Sequence, residues 1–98
     1  MSQFDTPFVK AVKSLGETGE SVMAALREKG VKGYRSQCSR CPVANYLKAC
    51  GFTDVTVAGH ANRYNRSDDS DESILLPLGV RDWIAQFDQG KYPEFYQE

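Results

Sequence analysis

Pro42 follows directly on the second cysteine of the stretch Cys38-Ser39-Arg40-Cys41, and it constrains the middle of this 98-residue chain more than any other position. A proline locks φ and lacks an N–H, so inside regular structure it suits the first turn of a helix, where that N–H would be unpaired anyway. Behind it, Val43, Leu47 and Cys50 recur on one helical face and Gly51 stops the run, so the spacing predicts a helix over 42–50. Phe52 falls where a glycine-terminated helix places its apolar contact. Such a helix holds Cys41 and Cys50 about 13 Å apart along its axis, too far to share a zinc ion or form a disulfide.

Two uses of the cysteines stay open. Cys38, Cys41 and His60 supply metal-ligand types but leave a fourth ligand unnamed. Cys38 and Cys41 also have the spacing of a redox dithiol, with the Cys41 thiolate favoured by the helix N-terminus and by Arg40. Thioredoxin-like motifs follow a strand, however, and this one follows two helical segments and a loop. The plainer reading makes Cys41 a half-covered residue leading into the helix and Cys50 a core side chain, with no cofactor bound. Three cysteines behind an N-terminus without the basic and apolar regions of a signal peptide predict reduced thiols and a cytoplasmic protein. In that setting Asn65-Arg66-Ser67 carries no weight as a glycosylation acceptor.

The rest of the chain follows the same grammar. Thr6, Pro7, the Phe8/Val12/Leu15 face and Gly16 predict a first short helix; Glu17, Glu20, the Val22/Met23/Leu26 stripe, Lys29 and Gly30 predict a second. Residues 31–39 have no period and read as a loop, with Tyr34 and Arg35 at its surface. Val55 and Val57 alternate with Asp54 and Thr56 as in a half-buried strand, and Ser73–Pro77 is a second apolar run too short for a helix. The stretch around His60–Tyr64 can continue the strand, and 67–72 reads as a solvated acidic turn, which gives a two- or three-stranded antiparallel meander. Val80, Trp83, Ile84 and Phe87 predict a last helix, and Tyr92 and Phe95 are expected to fold back on the domain. The expected fold is one α+β domain over 1–98: three helices, a short antiparallel sheet, a fourth helix. Its core is Phe8, Val12, Leu15, Val22, Leu26, Val43, Leu47, Cys50, Val55, Val57, Leu75, Val80, Trp83, Ile84 and Phe87.

The segments CPVANYLKACGFTDVTV and LPLGVRDWIAQFDQGKYPEFY resemble those of small actinobacterial and actinophage proteins, which carry a CP-aliphatic-A-x-YL segment and close with FD-x-G-x-YPE. The resemblance covers about the last two thirds of the chain. It implies a cytosolic bacterial or phage setting and assigns no site residues.

Charge is distributed unevenly. Residues 27–66 hold eight basic side chains against two acidic ones, whereas 67–98 hold eight acids against Arg81 and Lys91. A basic block of this kind is a nucleic-acid footprint, a patch for an acidic protein, or the complement of the chain's own acidic third. Three helices followed by a strand pair match a winged helix-turn-helix order, in which the 42–50 helix would present Arg40, Asn45 and Lys48 to DNA and Arg63 and Arg66 would lie on the wing. The short helix, the long preceding loop and the acidic 67–72 turn speak against it. No triad surrounds His60, no calcium-loop spacing orders Asp68, Asp69, Asp71 and Glu72, and no glycine-rich phosphate loop is present. An enzyme, a small-molecule substrate and a membrane role are therefore not expected. The expected function is a non-enzymatic binding protein that contacts another protein through Tyr34, Arg35, Arg40, Asn45, Lys48, Arg63 and Arg66, with DNA binding as the alternative.

Overall fold

The helix boundaries follow from local bonds that the sequence supplies. In the computed structural model, which describes residues 6–35, 37–65 and 70–97, helix α1 (Pro7–Lys13) starts where the Thr6 hydroxyl accepts from the Val9 N–H at 3.2 Å. Helix α2 (Gly19–Lys29) opens on a reciprocal Thr18/Ser21 box and closes on Gly30 in the left-handed region, φ 72°. Helix α3 (Pro42–Ala49) has Pro42 in its first turn and Cys41 as its cap, the Sγ accepting from the Ala44 N–H at 3.4 Å. After Gly51 the Phe52 N–H returns to the Leu47 carbonyl at 3.3 Å, and the Phe52 ring meets Phe8 edge-on at 5.2 Å. That is the apolar contact expected behind a glycine-terminated helix.

Strands β1 (Val55–Val57), β2 (His60–Asn65) and β3 (Ser70–Leu75) form an antiparallel meander in the order β1-β2-β3. Helix α4 (Leu78–Asp88) follows, then a 3-10 turn, Pro93–Phe95. The fold is α+β, in the element order expected. Helix α2 packs on α3 and α4, α1 on α3, and α3 on β1, so α3 lies at the centre. The Cα radius of gyration, 12.7 Å, is that of one packed body, about 13 Å for 100 residues.

The C-terminal segment completes the core. Trp83 stacks on Phe87 at 5.3 Å and on Tyr92 at 5.1 Å and meets Phe95 edge-on at 5.5 Å; Tyr96 meets Phe87 at 5.4 Å. Backbone bonds tie the segment down: Gly33 donates to the Phe95 carbonyl and Gln97 donates to the Gly33 carbonyl. Gly33 has to be glycine, because a Cβ there would collide with the Arg40 carbonyl.

Core membership needs one shift of register. Period-2 pairing turns Arg63, Glu72 and Ile74 toward the helices with Val55, Val57 and Ala61, and leaves Thr56, Asn62, Ser73 and Leu75 outside. Leu75, expected in the core, is therefore exposed, and Leu76 is buried in its place. Cys50 and Ile84 are only partly buried, while Tyr46 is buried with its hydroxyl 2.7 Å from Ser14 Oγ. The acidic turn expected at 67–72 is shorter than that, since Asp71 and Glu72 belong to β3; residues 66–69 lie outside the described residues.

Candidate functional site

The loop from Gly33 to Cys41 gathers most of the expected contact residues and turns several of them inward. Asn45 Nδ2 donates to the Lys32 carbonyl at 2.6 Å and to the Arg40 carbonyl at 3.2 Å, and Lys48 Nζ donates to the Ser39 carbonyl. Tyr34 N–H donates to the Arg40 carbonyl at 2.9 Å, Val57 N–H to the Cys38 carbonyl at 2.8 Å, and the Arg35 guanidinium lies 4.9 Å over the Tyr96 ring. Asn45 and Lys48 are thus loop fasteners, contrary to the expectation that they face a partner. Five of the eight residues of α3 are buried, so this helix has no free face to lay into a major groove.

Arg63 also departs from expectation. It sits on the inner sheet face, with Nε 2.9 Å from Glu72 and the guanidinium 5.9 Å and 5.7 Å over the Phe8 and Phe52 rings. Glu72 accepts in turn from the Thr6 hydroxyl. A second pair, Arg27 with Glu94, closes in a bidentate fork at 2.9 and 3.0 Å; the fork holds the Glu94 carboxyl below its ordinary range and the Arg27 guanidinium above its own. Both pairs join the basic middle of the chain to its acidic third. Arg40 stays exposed, and Arg66 lies outside the described residues.

The cysteines do not assemble. Cys38 is exposed, Cys41 buried and Cys50 half-buried, all three free. Among the described residues no three His, Cys, Asp or Glu side chains come together to hold a metal ion, so the set Cys38, Cys41, His60 is not gathered; His60 is exposed at the start of β2. The activated thiolate expected at Cys41 is replaced by its opposite. Burial pushes the Cys41 thiol up to about 11, against the Ala44 and Val43 N–H groups that favour the thiolate, and with Asp88 and Cys38 adding to the rise. Desolvation wins because the N-terminal amides cannot offset the loss of water around a side chain 2 % exposed.

Two hollows carry the open surface. The first, about 440 Å³, lies where the 37–41 loop and the β1–β2 turn face α4. Arg81, Ile84, Ala85 and Asp88 form its helical wall at the i, i+3, i+4, i+7 spacing of one face, with Val57 and Ala58 opposite. The Nε of Arg81 is buried without an acceptor, as is Trp83 Nε1. The second hollow, about 600 Å³, runs along the end of β3 into α4, lined by Ile74, Leu75, Pro77, Leu78, Lys13 and Glu17, with Arg81 at its border. Leu78 is 74 % and Leu75 53 % exposed.

Neither hollow stands out in the charge pattern. A signal was present for each: Leu78 falls off the Val80/Trp83/Phe87 stripe, and Arg81 is one of two cations in an acidic third. No family model, curated protein or solved structure matches the chain. Among the described residues no helix is long and apolar enough to cross a membrane.

Proposed function

We propose that this is a non-enzymatic regulatory or adaptor protein that acts by binding another protein, in the bacterial or phage setting implied by the two sequence segments above, through the β3–α4 corner. One observation carries the reading: Leu75 and Leu78 are both largely exposed, and with Ile74 and Pro77 they make a contiguous apolar surface at the end of a sheet-edge strand. Single exposed leucines are ordinary, but a contiguous apolar patch beside unpaired strand backbone marks an interaction surface. Strand β3 is bonded to β2 on one side only, so its other edge can accept an added strand while Leu75 supplies an outward side chain. The basic loop does not offer this, since Asn45 and Lys48 are engaged within it.

A photo-crosslinking residue placed at position 78, and in a second sample at position 48, tests the surface in cells that carry the protein. The expected result is a discrete adduct from position 78 that disappears with Leu75→Glu, and none from 48. Adducts from 48 alone, or adducts from 78 that Leu75→Glu leaves intact, would sink the proposal.

A further inference from the structure

The hollow that α4 shares with the 37–41 loop contains a cation whose bonding the protein does not complete. Arg81 lies on the cleft wall with its Nε buried, and its guanidinium has no hydrogen bond or ion pair among the described residues. Buried polar hydrogens of this kind nearly always find an acceptor, and leaving one on a charged group unmatched is strongly disfavoured. A guanidinium presents a rigid planar fork that fits a carboxylate with two parallel bonds.

The rest of the cleft restricts what that carboxylate can be attached to. Next to Arg81 along α4 come Ile84 and Ala85, and across from them Val57 and Ala58, so the space beyond the guanidinium is apolar. Asp88 stands two turns from Arg81, about 10 Å along the axis at ~1.5 Å per residue. Its negative field reaches the cleft floor, where it contributes to the raised Cys41 thiol. A second anionic end would meet that field, whereas an apolar body would not. The volume, about 440 Å³, is in the range of small-molecule sites.

We propose that this cleft binds a small organic monocarboxylate, its carboxylate held by the Arg81 guanidinium and its short apolar body lodged between Val57 and Ile84. This ligand site is separate from the protein-binding corner proposed above, although Arg81 borders both hollows.

The test is an NMR titration of the full ¹⁵N-labelled chain with hexanoate, and in parallel with hexylamine, which has the same apolar body and the opposite charge. Binding in the cleft shifts the Arg81 Nε–H and the Val57 and Ile84 amides saturably with hexanoate and not with hexylamine. Arg81→Met weakens hexanoate by about tenfold or more, the usual consequence of losing a charge-assisted bidentate contact. Ala85→Trp, which fills the cleft and keeps Arg81, weakens it likewise and decides the matter if Arg81→Met does not fold. The proposal is overturned by an equal response to both probes, by no saturable shift, by shifts confined to Leu75 and Leu78, or by a folded variant of either kind that binds as the parent chain does.

Discussion

Helices α3 and α4 both begin at a proline and carry an apolar stripe on one face, yet α3 is enclosed on nearly every side while α4 is open along two. On α3 the polar side chains that should have faced outward, Asn45 and Lys48, bend back to bond loop carbonyls. On α4 the inward stripe is sealed by the aromatic tail, but Leu78 stands in solvent and Arg81 borders two hollows without a partner among the described residues. A dense run of charge thus locates a place where backbone needs fastening. A sparse charge that nothing answers is the better guide to a ligand.

The most severe way to break the comparison is on the sealed face of α4. Trp83→Ala removes a ring held between Phe87, Tyr92 and Phe95, and truncating a fully buried tryptophan costs about 3–5 kcal/mol. Chemical denaturation is expected to show that loss; a change below about 1 kcal/mol would mean the tail does not seal the helix. The next effect belongs to the start of α3 and depends on pH. Cys41 ionises near 9.0 when its environment is unperturbed and at about 11 in the fold, so between those values the unfolded chain gives up a proton that the folded chain keeps. The stability is fully present below pH 9 and falls as pH rises through 11, by roughly 2–3 kcal/mol at 1.36 kcal/mol per pH unit. Denaturation midpoints of the parent and of Cys41→Ala, compared across that window, isolate the thiol. The gap between them should shrink as pH rises, and a constant gap would show that Cys41 is not desolvated.

What was legible beforehand depended on how local the signal is. Caps, glycine stops and helical stripes are read within a few residues, so α1, α2, α3 and α4 and the element order follow from Thr6, Pro42, Gly30, Gly51 and the Val80/Trp83/Phe87 face. The β3 register was not local. Ile74, Leu75 and Leu76 are three consecutive apolar residues, which satisfy either face of a strand, and the choice is made by pairing with Ala61 and by the partnership of Arg63 with Glu72. The candidate site was the least legible, because Arg81, Val57 and Cys38 meet only through tertiary packing. The thiol of Cys41 was misjudged for a related reason. Its position at a helix N-terminus is visible in sequence, but its burial is not.

The loop side of the comparison predicts a smaller effect. Asn45→Ala frees the Lys32 and Arg40 carbonyls, which water can then reach because Asn45 lies near the surface, so the cost is about 1–2 kcal/mol for two bonds. Hydrogen exchange locates it: the Tyr34 N–H, bonded to the Arg40 carbonyl, should exchange faster, while the amides of α4 keep their protection. Uniform loss of protection across both helices would instead make the loop part of one cooperative unit with α4.

The smallest stability effect is expected at the position with the most exposed apolar side chain. Leu78 sits at the first turn of α4, 74 % exposed, so replacing it with glutamate removes little buried area. A carboxylate in the first turn of a helix is also favoured by the unpaired N–H groups there. Leu78→Glu should therefore leave the denaturation midpoint within about 0.5 kcal/mol of the parent chain. The same substitution puts a charge at the centre of the apolar β3–α4 corner, where desolvating it against a partner is costly. A stable Leu78→Glu chain that no longer engages its partner separates surface from scaffold. A loss of several kcal/mol would mean instead that Leu78 contributes to the fold itself and that the corner is closed in solution.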